Sequence, residues 1–142
     1  MSDVEEKIKE IVNKETKAWD TQDVELLLSI FHPDMVWPWP KTSQDHDPIN
    51  WVLELGRFDY ERWKRGWEEL FKTHELARNK RELKKIEISK ERDAAFAVVD
   101  IDTLWVDSEG NENRWIGRVC KVYTLMSNKE WKLIMHTGVL EY

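Results

Sequence analysis

Apolar and polar positions alternate most regularly between residues 94 and 140, and the alternation predicts three long strands joined by two short turns. Residues 94–106 are rich in β-branched and aromatic side chains, and Asp107-Ser108-Glu109-Gly110-Asn111 supplies a polar turn. A second strand is expected over 114–126, a turn over 127–130, and a third strand over 131–140. Such a meander needs one face covered, since a sheet wet on both sides buries too little to be stable.

The residues before it show the period of a helical cover. Val4, Ile8, Ile11, Val12, Ala18 and Trp19 recur at threes and fours behind a cap at Ser2 or Asp3, and Glu15 falls inside this stripe. Thr21-Gln22-Asp23 caps a second helix, expected over 24–31 with Val24, Leu27, Leu28 and Phe31 buried and Pro33 ending it. Residues 35–40 alternate but carry two prolines, which predicts a short edge strand with Trp37 and Trp39 on one side. After a polar loop, Asp47-Pro48 should start a short helix reaching Leu55 and stopped by Gly56. Asp59 should cap a third main helix to about His74, with Tyr60, Trp63, Trp67, Leu70 and Phe71 on one face, and these two helices resemble a lid. Residues 75–82 read as a charged linker, and 83–89 as a strand with Ile86 and Ile88 on one side. The expected fold class is α+β: three main helices packed on a curved, mainly antiparallel sheet with a short edge strand.

Composition narrows the classes of function. At 142 residues the chain is expected to form one domain over residues 1–142. The net charge of −6, without a basic cluster, argues against nucleic acid as a partner. One cysteine, Cys120, suggests a reducing compartment, and the acidic start Met1-Ser2-Asp3-Val4-Glu5-Glu6 is unlike a basic signal peptide, so a cytoplasmic protein is expected. No apolar run reaches membrane length. Nine tryptophans exceed what a core of this size needs and point to a flat, hydrophobic ligand.

The segment Trp19-Asp20-Thr21-Gln22-Asp23-Val24-Glu25-Leu26-Leu27 followed by Phe31-His32-Pro33-Asp34, the ending Trp131-Lys132-Leu133-Ile134-Met135-His136-Thr137 and the order of elements resemble the nuclear transport factor 2-like superfamily, especially its SnoaL-like branch. The resemblance covers nearly the whole chain. It implies a cone-shaped α+β fold with a pocket inside the cone, commonly a homodimer through the sheet. Against ketosteroid isomerase, one enzyme of that superfamily, Glu15 stands where a catalytic tyrosine would be and Trp39 where the aspartate base would be, so the isomerase machinery is missing. Met135 and Thr137 take the positions of the double histidine common in SnoaL-like proteins.

Strand parity with the family's register places Val99, Ile101, Thr103 and Trp105 inward, with Ile116, Arg118, Cys120 and Val122 from the next strand and Trp131, Leu133, Met135 and Thr137 from the last. Asp100, Asp102, Lys121, Tyr123, Lys132 and His136 would face outward, where charge mixed with apolar bulk suits a subunit interface; a slip of one residue would invert these assignments. Glu15 and Arg118 are then the two charged groups expected inside. They are candidates either for a structural ion pair or for a pocket acid/base with a stabilising cation. Trp19, Trp37, Trp39, Tyr60, Trp63, Trp67, Thr103, Trp105, Met135 and Thr137 are the candidate ligand contacts. Asp45-His46-Asp47 is a solvated turn, or else a ligand set for a metal or a general base from the lid loop, and the turn is preferred because adjacent loop residues rarely converge on one ion.

Two functions follow as expectations. The first is a small-molecule binding protein, or an isomerase, cyclase or lyase working without metal or cofactor on a hydrophobic or aromatic compound. The second is a non-catalytic, homo-oligomerising association domain using the outer sheet face.

Overall fold

The computed structural model of the protein describes residues 3–141, so the alternative cap at Ser2 lies outside it. The first apolar stripe forms α1 (Asp3–Asp20), which buries Ile8, Val12, Glu15, Ala18 and Trp19. Acidic Asp3, Glu5 and Glu6 occupy its first turn, where the helix dipole favours negative charge. Asp23 caps α2 (Val24–Leu28) by accepting a hydrogen bond from the Leu26 amide.

The second helix is shorter than its apolar spacing predicts. Strand β1 (Phe31–Val36) begins where that helix was expected to end, and it contains Pro33. A proline is tolerated because β1 is an edge strand, paired on one side only, parallel to the last strand. The helix expected over 48–55 is only a 3-10 turn, Pro48–Asn50, and Trp39 bridges to Val52 outside any strand. Asp59 caps α3 (Tyr60–Thr73), as expected, and the helix buries Trp63 and Trp67.

The supposed charged linker belongs to a strand. β2 (His74–Ile88) runs 15 residues against β3 (Ala94–Asp107), followed by β4 (Glu112–Leu125) and β5 (Trp131–Leu140). The sheet order is β1-β5-β4-β3-β2, antiparallel except for the β1–β5 pair. Helices and sheet enclose a core that includes Ile8, Trp19, Leu27, Met35, Trp63, Val99, Trp105 and Leu133. The architecture is α+β, with three helices on a five-stranded mixed sheet.

Register corrects the expected faces in two places. The 107–111 turn pairs Val106 with Glu112, and hence Val99 with Val119. Directly opposed residues share a face, so odd-numbered residues of β4 point inward with the odd residues of β3. Gly117, Val119, Lys121 and Tyr123 are therefore buried, whereas Ile116, Arg118, Cys120 and Val122 lie on the other face. In β5 the pairing steps from Tyr123↔Leu133 to Val122↔Met135, so Ile134 is an extra residue in a bulge. Trp131 and Leu133 point inward before the bulge, and His136, Gly138 and Leu140 after it. Met135 and Thr137, expected inside, are on the outer face, where Met135 joins the exposed Phe96 and the Asp100–Arg118 ion pair.

Candidate functional site

The helix stripe and the two register steps bring Glu15, Lys121 and His136 together beneath the helices. All three side chains are at most 2% exposed. Glu15 hangs from α1, and Lys121 and His136 are direct cross-strand partners on β4 and β5. Small Ala97 flanks Lys121 on its other side, which leaves room for the lysine to rise toward the helix. Lys121 Nζ donates to both Glu15 oxygens, at 2.8 and 2.9 Å, and lies 3.0 Å from His136 Nδ1. Trp19, one turn along α1, donates its indole N–H to Glu15 Oε2 at 3.0 Å.

A fourth charged group closes the cluster. Arg81 on β2 faces Ile101 across the ladder, and its Nη1 lies 3.9 Å from Glu15 Oε2. Its Nε donates to Asn79 Oδ1 at 2.8 Å and its Nη2 to Thr103 Oγ1 at 3.3 Å. The Thr103 hydroxyl donates to the same Asn79 oxygen, so the guanidinium is fixed from below by two side chains that also hold each other.

These contacts set the charge states. Burial alone would raise the Glu15 carboxyl, but Lys121 and Arg81 outweigh it and hold it below its ordinary value. Burial lowers Lys121 to about 8 against the opposing pull of Glu15, so the pair is ionised at neutral pH. His136 is pushed well below its ordinary value, first by burial and then by Lys121 and Arg81, and is neutral. An ammonium group only donates, so Nδ1 must accept and the ring proton must sit on Nε2. Tyr123, buried in the same layer, is pushed well above its ordinary value by burial and by Glu15.

Next to this cluster lies a cavity of about 660 Å³, within the range that takes a small organic ligand. Trp19, Trp37, Trp39, Trp67, Arg81 and His136 are among its lining residues. His136 stacks on Trp37 with ring centroids 3.7 Å apart and tilts toward Trp39 at 5.4 Å. Trp19 meets Trp37 and Trp67 edge to face at 6.3 and 5.1 Å. Residues 37–55 wrap the mouth, closed on themselves by paired backbone hydrogen bonds between Trp39 and Val52. In this loop Asp45 accepts from Thr42 and Asp47 caps the Pro48 turn, so both carboxylates are spent on turns.

The structure thus sorts the residues singled out from sequence. Glu15 is at the centre of the cluster, and Trp19, Trp37, Trp39 and Trp67 line the cavity. Thr103 touches the site through Arg81. Trp63 is core, donating to the Leu55 carbonyl and packed on Phe31 and Phe58. Trp105 is core as well, stacked on Phe71. Tyr60 is at the surface, bonded to Glu25. Arg118 is on the opposite face of the sheet, paired with Asp100 at 2.6 Å, and Met135 and Thr137 share that face.

Lys121, His136 and Arg81 are the members that sequence reasoning missed. The register of the 107–111 turn would have found Lys121. Strand alternation carried back from Leu83 would have found Arg81, and only the unforeseen bulge hid His136.

No protein-family model and no curated protein matches the sequence. Solved structures do match the fold. A ketosteroid isomerase-like protein from Erwinia carotovora atroseptica superposes with a TM-score of 0.75 at 10% identity, covering 100% of this chain and 99% of the other. A nuclear transport factor 2-like superfamily protein from Salmonella enterica serovar Typhimurium gives 0.70 at 18% identity, over 98% and 92%. An uncharacterized cystatin-like protein from Caulobacter vibrioides gives 0.68 at 18%, over 99% and 92%. At these identities the likeness speaks for the fold alone.

Proposed function

Taking the nuclear transport factor 2-like fold as the frame, we propose that this protein binds a flat, hydrophobic small molecule in its tryptophan-walled cavity and transfers a proton to it through His136. The reading belongs to the cofactor-independent isomerases, cyclases and lyases. One observation carries it: the imidazole lines the cavity while its Nδ1 sits 3.0 Å from a buried lysine.

The chemistry follows from the donor order. His136 Nε2–H is the donor available to a carbonyl or hydroxyl oxygen of a bound molecule, a neutral electrophile of the kind that polarises carbonyls. As that proton leaves Nε2, Nδ1 takes one from the Lys121 ammonium, and the lysine is left neutral. A lysine at about 8 is matched to giving up a proton near neutral pH, and free lysine is not. Glu15 acts on the lysine: it holds the ammonium in place and sets its basicity. The indoles supply flat apolar surface and exclude water, which strengthens each of these hydrogen bonds.

The test is a titration of planar ketones and phenols, 2-tetralone and 2-naphthol among them, followed by intrinsic tryptophan fluorescence and by α-proton exchange of the ketone in D2O. Saturable quenching is expected, with exchange faster than in buffer, because the ketone oxygen takes the His136 proton while water at the cavity mouth takes the α-proton. His136→Gln should retain binding while losing on the order of 10²-fold or more of the acceleration. Fluorescence unchanged across the panel would remove the ligand reading, and undiminished exchange in His136→Gln would remove the histidine's role.

A further inference from the structure

The cluster below the cavity does not balance. Glu15 contributes one negative charge, Lys121 and Arg81 contribute two positive charges, and His136 and Tyr123 are neutral. An arginine stays protonated even where burial lowers its affinity for the proton. Asp20, linked to the cluster through Asn79, is exposed to solvent and offsets this excess only weakly. A buried charge without a counter-charge is costly, and the surplus lies on the wall of a cavity that can admit one.

Arg81 is also the group with donors to give. Its side chain is only 5% exposed and it lines the cavity. Nε and Nη2 are committed to Asn79 and Thr103, whereas Nη1, 3.9 Å from Glu15, makes no hydrogen bond among the described residues. The guanidinium is therefore held in one orientation with part of its fork unused, the arrangement in which arginine recognises a carboxylate. At the mouth, Arg114 pairs with Glu112 at 2.6 Å. Lys41, Glu54 and Glu141 are exposed there, and water and salt screen them far more than the buried excess.

Building on the small-molecule reading above, we infer that the cavity selects an organic monoanion, an aromatic or polycyclic body carrying one carboxylate, which Arg81 binds while His136 addresses a second polar group. Asn79 and Thr103 act as positioning residues for the guanidinium. The bound carboxylate completes the charge balance that Glu15 leaves short.

Isothermal titration calorimetry with matched pairs tests this: 2-naphthoate against 2-naphthamide, and indole-3-acetate against indole-3-acetamide. Each acid should bind about tenfold or more tightly than its amide, the size of one charge-assisted contact. Arg81→Met should weaken the acids far more than the amides, so that the acid-to-amide ratio falls to about twofold or less, and Arg81→Lys should recover part of it. Amides that bind as tightly as acids overturn the inference and leave the small-molecule reading standing. A preference that survives in folded Arg81→Met overturns Arg81 as its source. Binding by none of the four compounds sinks the small-molecule reading itself. Should Arg81→Met fail to fold by circular dichroism, the acid-to-amide ratio of the native protein still decides.

Discussion

Lys121 is the residue on which the site turns, because it touches both an acid and a base. Its ammonium is buried with Glu15 on one side and His136 on the other, so replacing it strands a carboxylate in an apolar interior. Lys121→Met should cost about 3–5 kcal/mol in urea unfolding, and Glu15→Gln combined with it should recover much of that loss. His136 makes the fold acid-sensitive in a definite window. Its imidazole binds a proton less readily in the folded chain than its ordinary 6.5, so the unfolded chain takes up more protons below that pH. Stability therefore falls as pH drops from 6.5, by up to about 1.4 kcal/mol per pH unit. Glu15, also lowered, adds its own loss only below about 4.5, so the slope between the two values belongs to the histidine. His136→Gln should flatten that slope in pH-dependent thermal melts, and an unchanged slope would place the titration elsewhere.

At the scale of elements, strand existence was legible and strand face was not. Alternation over 94–140 located the last three strands closely, and Asp23 and Asp59 marked two helix starts. Alternation states which residues share a face, but a neighbouring strand decides which face is buried, through pairing that no single strand contains. One parity error in β4 exchanged Arg118 for Lys121, and the bulge at Ile134 exchanged Met135 for His136. The charges of β2 hid it for a related reason: Glu75, Glu82 and Lys84 face outward along a strand whose inner positions include Arg81 and Asn79, so the pattern lacks apolar beats. The β4–β5 pairing that sets the site also depends on close approach. A Cβ on Gly117 would run into the Val139 carbonyl and the Leu140 backbone. Gly117→Ala should therefore destabilise by about 1–3 kcal/mol or more, measured by chemical denaturation, whereas a neutral result would show that β5 can shift.

For the whole molecule, the helical cover and the sheet make one aromatic assembly with a polar centre. Trp19 joins the two: its ring meets Trp37, Trp67, Phe71, Trp105 and Trp115, and its N–H is spent on Glu15. The abundance of tryptophan in the sequence announced such an assembly, and the stripe of α1 announced an inward carboxylate. Neither could place the lysine and histidine that give that carboxylate a purpose, since these come from strands more than 100 residues away along the chain. The central claim is that a neutral His136 accepts at Nδ1 from Lys121 and offers Nε2–H to the cavity. Imidazole nitrogen NMR of ¹⁵N-labelled protein, with His136 assigned by its absence from His136→Gln, reads this directly. From pH 7 down past 6.5, where Lys121 is an ammonium, His136 should keep one protonated Nε2 and one unprotonated Nδ1; a ring that carries its proton on Nδ1, or becomes doubly protonated near 6.5, would contradict the account.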